Sequence, residues 1–173
     1  MSERPPTLVR HRPRGLLRLA FKLPVYLYRG PLASLLAWRC VILLTTIGRK
    51  TGLPRRTAVS AMRLNGRFIV FAGFAGVRAD WYRNLLAHPE VVVRAGNQCW
   101  RATAHVVLDP AERRALMTQM AEYSRRCGPP LVVRPLLRLL HIFDYDAEIA
   151  FALAHAEELP VVELRPHSQI PCP

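Results

Sequence analysis

Residues 41–72 read VILLTTIGRKTGLPRRTAVSAMRLNGRFIVFA, and this stretch decides the fold. Val41–Ile47 is a near-continuous apolar run with β-branched residues, bounded by Gly48, and reads as a buried strand. Arg55–Leu64 ends at Asn65-Gly66, the strongest two-residue hairpin signal, and Arg67–Ala72 is the returning strand. Working outward, Asp80–His88 (DWYRNLLAH) reads as a helix with Asp80 as N-cap and Pro89 as its stop. Glu90–Arg94 and Gln98–Leu108 flank a second turn at Gly96-Asn97. Asp109-Pro110 opens a helix to about Arg126, with Asp as cap and Pro at the first position. Arg134–Phe143 and Tyr145–Glu158 are further helical stretches, and Leu159–Leu164 is a last strand.

Strands adjacent in sequence, with helices inserted between hairpins, exclude a doubly wound parallel sheet. They point to an α+β domain: a small closed or split antiparallel β-barrel with helices packed outside. The expected organisation is a basic tail at 1–13, an N-terminal helical segment at 14–40, a barrel domain at 41–166 and a C-terminal tail at 167–173. At 173 residues the chain holds one domain, and with 51% apolar residues it has material for a core.

Charge is distributed unevenly. Residues 1–79 carry 15 basic side chains against one acid, Glu3, whereas residues 80–173 carry 10 basic and 11 acidic ones. Such asymmetry implies an anionic partner for the N-terminal half. Arg14, Arg18 and Lys22 fall at helical spacing, a basic stripe suited to an anionic membrane surface or to water. No apolar run is long enough for a spanning helix. Cys40, Cys99, Cys127 and Cys172 show no short spacing and read as unpaired thiols, so a cytoplasmic protein is expected, with peripheral attachment to the membrane's inner face as an option. The six histidines have no metal-ligand spacing, and no helix-turn-helix, zinc-finger or aromatic RNA-binding pattern accompanies the charge. Metal and nucleic-acid functions are therefore not expected.

The densest constellation is Gly48-Arg49-Lys50-Thr51-Gly52-Leu53-Pro54-Arg55-Arg56, between two expected strands. Glycines permit a sharp turn, and four cations with a hydroxyl suit phosphate or carboxylate oxygens. It is not a P-loop, because an Arg stands between Gly48 and Lys50 and Leu43 replaces the leading glycine. A solvated basic loop is the alternative reading of the same residues.

Leu44–Arg55 (LTTIGRKTGLPR) resembles the LTT-x-GRK-[ST]-G-x-PR signature of the deazaflavin (coenzyme F420)-dependent nitroreductase and quinone reductase family. Asp80–Val91 is similar to that family's WY-x-NL-x-A-x-P-x-V motif, and Leu159–Pro166 to its terminal strand. The resemblance implies an FMN-binding split-barrel type of fold and a reductase that transfers a hydride from reduced F420 to a quinone, nitro or enone acceptor. It implies that Arg49, Lys50 and Arg55 hold phosphate and tail carboxylates. Thr51 and Gly52 would add hydroxyl and backbone donors, and Asn84 and Trp81 would stand beside the cofactor. Gly73 and Phe74 fall where members often carry a Ser-Gly-Trp-Gly run; here Ala72 replaces the Ser. Where some members have a Tyr after the GRK loop, this chain has Ser60; Ser60 and Tyr123 are the candidates for a proton-donating or substrate-side role. FMN in place of F420, or a non-catalytic F420 carrier, are the alternatives, and a homodimer is suggested by the family.

Overall fold

The computed structural model describes residues 25–26, 28, 40–73, 76–127 and 145–172. The basic tail, the stripe of Arg14, Arg18 and Lys22, the expected helix at 134–143, and Phe74 lie outside the described residues.

Six strands form a closed antiparallel barrel in the order β1-β2-β3-β6-β5-β4, with β4 returning to β1. They are β1 (Val41–Ile47), β2 (Pro54–Leu64), β3 (Arg67–Phe71), β4 (Glu90–Ala95), β5 (Gln98–Val106) and β6 (Val161–Ile170). Helices α1 (Asp80–Ala87), α2 (Pro110–Cys127) and α3 (Tyr145–Ala154) are inserted between them. The barrel expected from the hairpin signals is the one observed. Asn65 and Gly66 both take positive φ, 48° and 77°, which suits the right-handed twist of a two-residue hairpin.

Alternation sorts the strands into two faces. Ile42, Leu44, Ala61, Phe68, Val70, Val91, Val93, Ala102, Val162 and Leu164 fill the interior. Ala79, Tyr82 and Leu85 join that cluster from α1 and its approach, so the helix closes one end of the barrel. On the outside, Met62, Ile69 and Val161 meet Leu116, Met117 and Met120 of α2 and Ala152 of α3. β1 is buried on both faces, because Leu43 packs outward against Tyr28. That explains its unbroken apolar sequence. The Tyr28 hydroxyl donates to the Val41 carbonyl. Burial, opposed by a hydrogen bond from Gly96 and by the charge of Arg94, pushes that hydroxyl up to about 12, so it stays protonated. Each fully buried Leu or Ile of this kind contributes about 1.5–3 kcal/mol.

Three findings depart from the sequence reading. First, β6 runs to Ile170 rather than stopping at Leu164, so residues 167–170 belong to the barrel and not to a tail. Pro166 made the longer strand illegible; it sits beside a register shift, where Arg101 faces Ser168 and Ala102 faces Pro166. A bulge tolerates the missing N–H. Second, the thiols are not free. Cys99 and Cys172 form a disulfide across 73 residues, with their Cα atoms 5.2 Å apart, and Cys40 is also disulfide-bonded. The β5–β6 pairing, which sets Cys99 opposite Ile170, carries Cys172 to its partner. Third, Ala79 rather than Asp80 occupies the cap position of α1, and no side chain caps it. The carboxylate of Asp80 is turned to Arg49 instead. Asp109, by contrast, caps α2 as expected, accepting from the amides of Ala111 and Glu112 at 3.2 Å each.

Candidate active site

The turn between β1 and β2 is wired from within. The Gly48 amide donates to the Leu53 carbonyl at 2.9 Å, and the amides of Thr51 and Gly52 donate to the Gly48 carbonyl at 3.1 and 2.8 Å. Gly52 has φ +66°, a conformation that favours glycine, and a Cβ on Gly48 would lie 2.9 Å from Thr51 Oγ1. The Leu53 amide donates to Thr51 Oγ1, which also accepts from Arg55. Among the amides of residues 48–53, only that of Lys50 is left without an acceptor.

Helix α1 holds the turn from the other side. Asp80 and Asn84 lie one helical turn apart and so face the same way. Asn84, 4% exposed, accepts at Oδ1 from the Arg49 amide at 3.2 Å and from Arg49 NH1 at 3.0 Å. Its Nδ2 donates to Oγ1 of the fully buried Thr46 at 3.2 Å. Because both Arg49 groups are donors, the amide oxygen must be the atom that faces them. Arg49 NH2 pairs with Asp80 at 3.2 Å. Thr46 is also the residue directly opposite Arg55 in the β1–β2 ladder, so both project from the same face.

The structure therefore brings Arg49, Lys50, Thr51, Gly52, Arg55 and Asn84 into one assembly at the end of the barrel that α1 closes. Within it the residues divide differently from the sequence reading. Gly52 spends its amide inside the turn and has no backbone N–H to offer. Asn84 is buried with its oxygen committed to Arg49. Among the described residues, the side chains of Lys50 and Arg56 have no ion-paired or hydrogen-bonded partner, and that of Arg55 is engaged by the Thr51 hydroxyl; Arg56, next to Arg55 on β2, projects from the opposite face. Trp81 packs against the barrel core and edge-on to Tyr82, with ring centroids 6.1 Å apart. Gly73 follows β3, where a Cβ would meet the Phe71 ring at 2.6 Å.

Ser60 and Tyr123 are not brought to this assembly. Ser60 pairs with Val41, whereas the turn begins at the Ile47–Pro54 pair, six residues or about 20 Å along the strand. Tyr123 packs in the outer cluster between α2 and the barrel wall. Sequence reading missed Thr46 as the anchor of Asn84 and Asp80 as the partner of Arg49. The available signals were two adjacent hydroxyls, Thr45 and Thr46, in an otherwise apolar strand, and a single acid between Glu3 and Glu90.

Residues 26–127, which include β1, the turn and α1, match the F420H(2)-dependent quinone reductase family. The chain belongs to that family. It is an F420-dependent oxidoreductase, and its cofactor is F420. The fold has wider company. The heme storage protein HutZ from Vibrio cholerae is similar at a TM-score of 0.52 with 16% identity, over 77% of this chain and 86% of that one. The conserved hypothetical protein Rv2991 from Mycobacterium tuberculosis is similar at 0.51 with 14% identity, over 80% and 79%. These likenesses concern the barrel alone, since one fold hosts unrelated chemistries. The turn fits the family's cofactor on its own chemistry: among the described residues the Lys50 and Arg55 side chains have no acidic partner, and the Lys50 amide is open. Among the described residues no cluster could hold a metal ion, and no helix is long and apolar enough to cross a membrane.

Proposed function

We propose that this oxidoreductase reduces a quinone-type acceptor, with the β1–β2 turn gripping the anionic part of F420. When bound, F420H2 supplies a hydride, and the redox chemistry is the cofactor's own. The protein's share is orientation and charge. Lys50 and Arg55 provide donors to phosphate and carboxylate oxygens, with Arg49, fixed by Asn84, beside them. Trp81 and Gly73 flank the reacting end, and nitro or enone compounds are secondary acceptors. The single observation that carries this reading is the preassembled turn whose Lys50 and Arg55 side chains, among the described residues, lack counter-charges.

The test is twofold. Replacing both Lys50 and Arg55 by Ala should weaken F420 binding, followed by fluorescence quenching, at least tenfold while the melting temperature moves by less than about 3 °C. Turnover of menadione with F420H2 then separates an enzyme from a carrier. Binding without turnover of quinone, nitro or enone compounds would sink the catalytic assignment, and equal damage to binding and stability would make the turn structural.

A further inference from the structure

We infer that Asp80 is a built-in counter-anion, tuning how tightly and how selectively the turn takes up its polyanionic ligand; this rests on the reading of the turn as an anion clamp. Between Glu3 and Glu90 the chain contains one acidic residue, Asp80. It stands at the start of α1, one residue inside the cap position that Ala79 occupies. Its Oδ1 lies 3.2 Å from Arg49 NH2.

Geometry separates this contact from the rest of the assembly. Arg49 is already held through its amide and NH1 by Asn84. Asn84 is neutral, so it fixes Arg49 without spending its charge. Asp80 adds little to the position of Arg49 and subtracts from its field. The Asp80 side chain is 62% exposed and that of Arg49 25%, so the pair is reachable by water and by an incoming anion. A phosphate or carboxylate oxygen approaching NH2 must displace Asp80 or sit beside its charge. A singly charged or weakly held anion gains too little from one guanidinium to do so. A ligand that engages Lys50 and Arg55 at the same time can. Asp80 thus raises the threshold for occupancy and favours an elongated polyanion over stray ions.

Asp80→Asn keeps an oxygen acceptor in place and removes only the charge. Given the weakness of exposed ion pairs, the variant should bind F420 roughly two- to fivefold more tightly by fluorescence quenching. Inorganic phosphate, tested as a competitor, should gain by at least the same factor, which lowers selectivity. The melting temperature should stay level or fall slightly, because an acid is lost from the helix's first turn. A purely structural Asp80 would give looser binding together with lower stability, and that result, or unchanged affinity, overturns the inference. In an Arg49→Ala background the gain should shrink towards none; an undiminished gain overturns the pairing with Arg49. Lys50→Ala separates the two levels of the argument. If it leaves F420 affinity unchanged, the clamp itself is wrong. If it weakens binding while Asp80→Asn fails to tighten it, the clamp stands and the counter-anion falls.

Discussion

Glu163→Gln tests the main charged element of the barrel wall. Glu163 is 4% exposed and sits on β6 between two arginines. Arg67 NH1 reaches both carboxylate oxygens, at 2.9 and 2.8 Å, and Arg165 reaches Oε2 through Nε at 3.0 Å and NH2 at 2.8 Å. Burial pushes the carboxyl up, but hydrogen bonds from Arg165 and Arg67 and their charges outweigh it, leaving the group below its ordinary value. Removing one partner of a fully buried pair costs about 3–5 kcal/mol. Here the arginine side chains are 36% and 51% exposed and can recover water, so the cost falls to roughly 2 kcal/mol. For a chain of this length that corresponds to a fall of about 4–8 °C in melting temperature at neutral pH. The sign of the pH dependence follows from the lowered value. The contribution is fully present above the ordinary carboxylate range and is lost as pH falls through the native-state value. The acid limb of a stability–pH curve should therefore be shallower in the variant. Urea melts from pH 7 to pH 3 measure both quantities. A variant that melts within 1 °C of the parent and keeps its acid limb would show that the three groups contribute nothing net.

Two further outcomes are expected. Thr46→Val leaves Asn84 Nδ2 without its buried acceptor, so it should cost about 1–2 kcal/mol in chemical denaturation and loosen F420 several-fold through Arg49, an effect that Thr46→Ser should largely rescue. Cys172→Ser opens a 73-residue loop, for which chain entropy sets a ceiling of about 4 kcal/mol; a lower melting temperature is the check, and reductant should lower the parent's by at least as much, because it also opens the disulfide of Cys40.

The hairpins and the turn were legible because their signals are local. Asn65, Gly66 and Gly52 take positive φ, which few other residues supply, and Gly48 leaves no room for a Cβ. What escaped were facts made by strands distant in sequence. The Cys99–Cys172 bond exists because β5 and β6 are neighbours, and no spacing rule encodes that. The end of β6 was misplaced because a proline in a strand argues against the strand unless a bulge is known to be there. At the site, the identities of Arg49 and Asn84 could be read, but their mutual engagement could not. Asp80 illustrates the limit most plainly: the same residue fits a helix cap by local rules and a guanidinium partner by tertiary ones, and the tertiary partner won.

The position of β6 has a consequence for how the chain comes off the ribosome. It inserts between β3 and β5, so both present an open edge until residues 161–170 arrive. At ordinary elongation speeds the β3 edge waits on the order of ten seconds, long enough for a nascent chain to pair with a neighbour instead. The late strand is then a closing seam, and until it arrives the exposed β3 edge is the place where the nascent chain is open to mispairing.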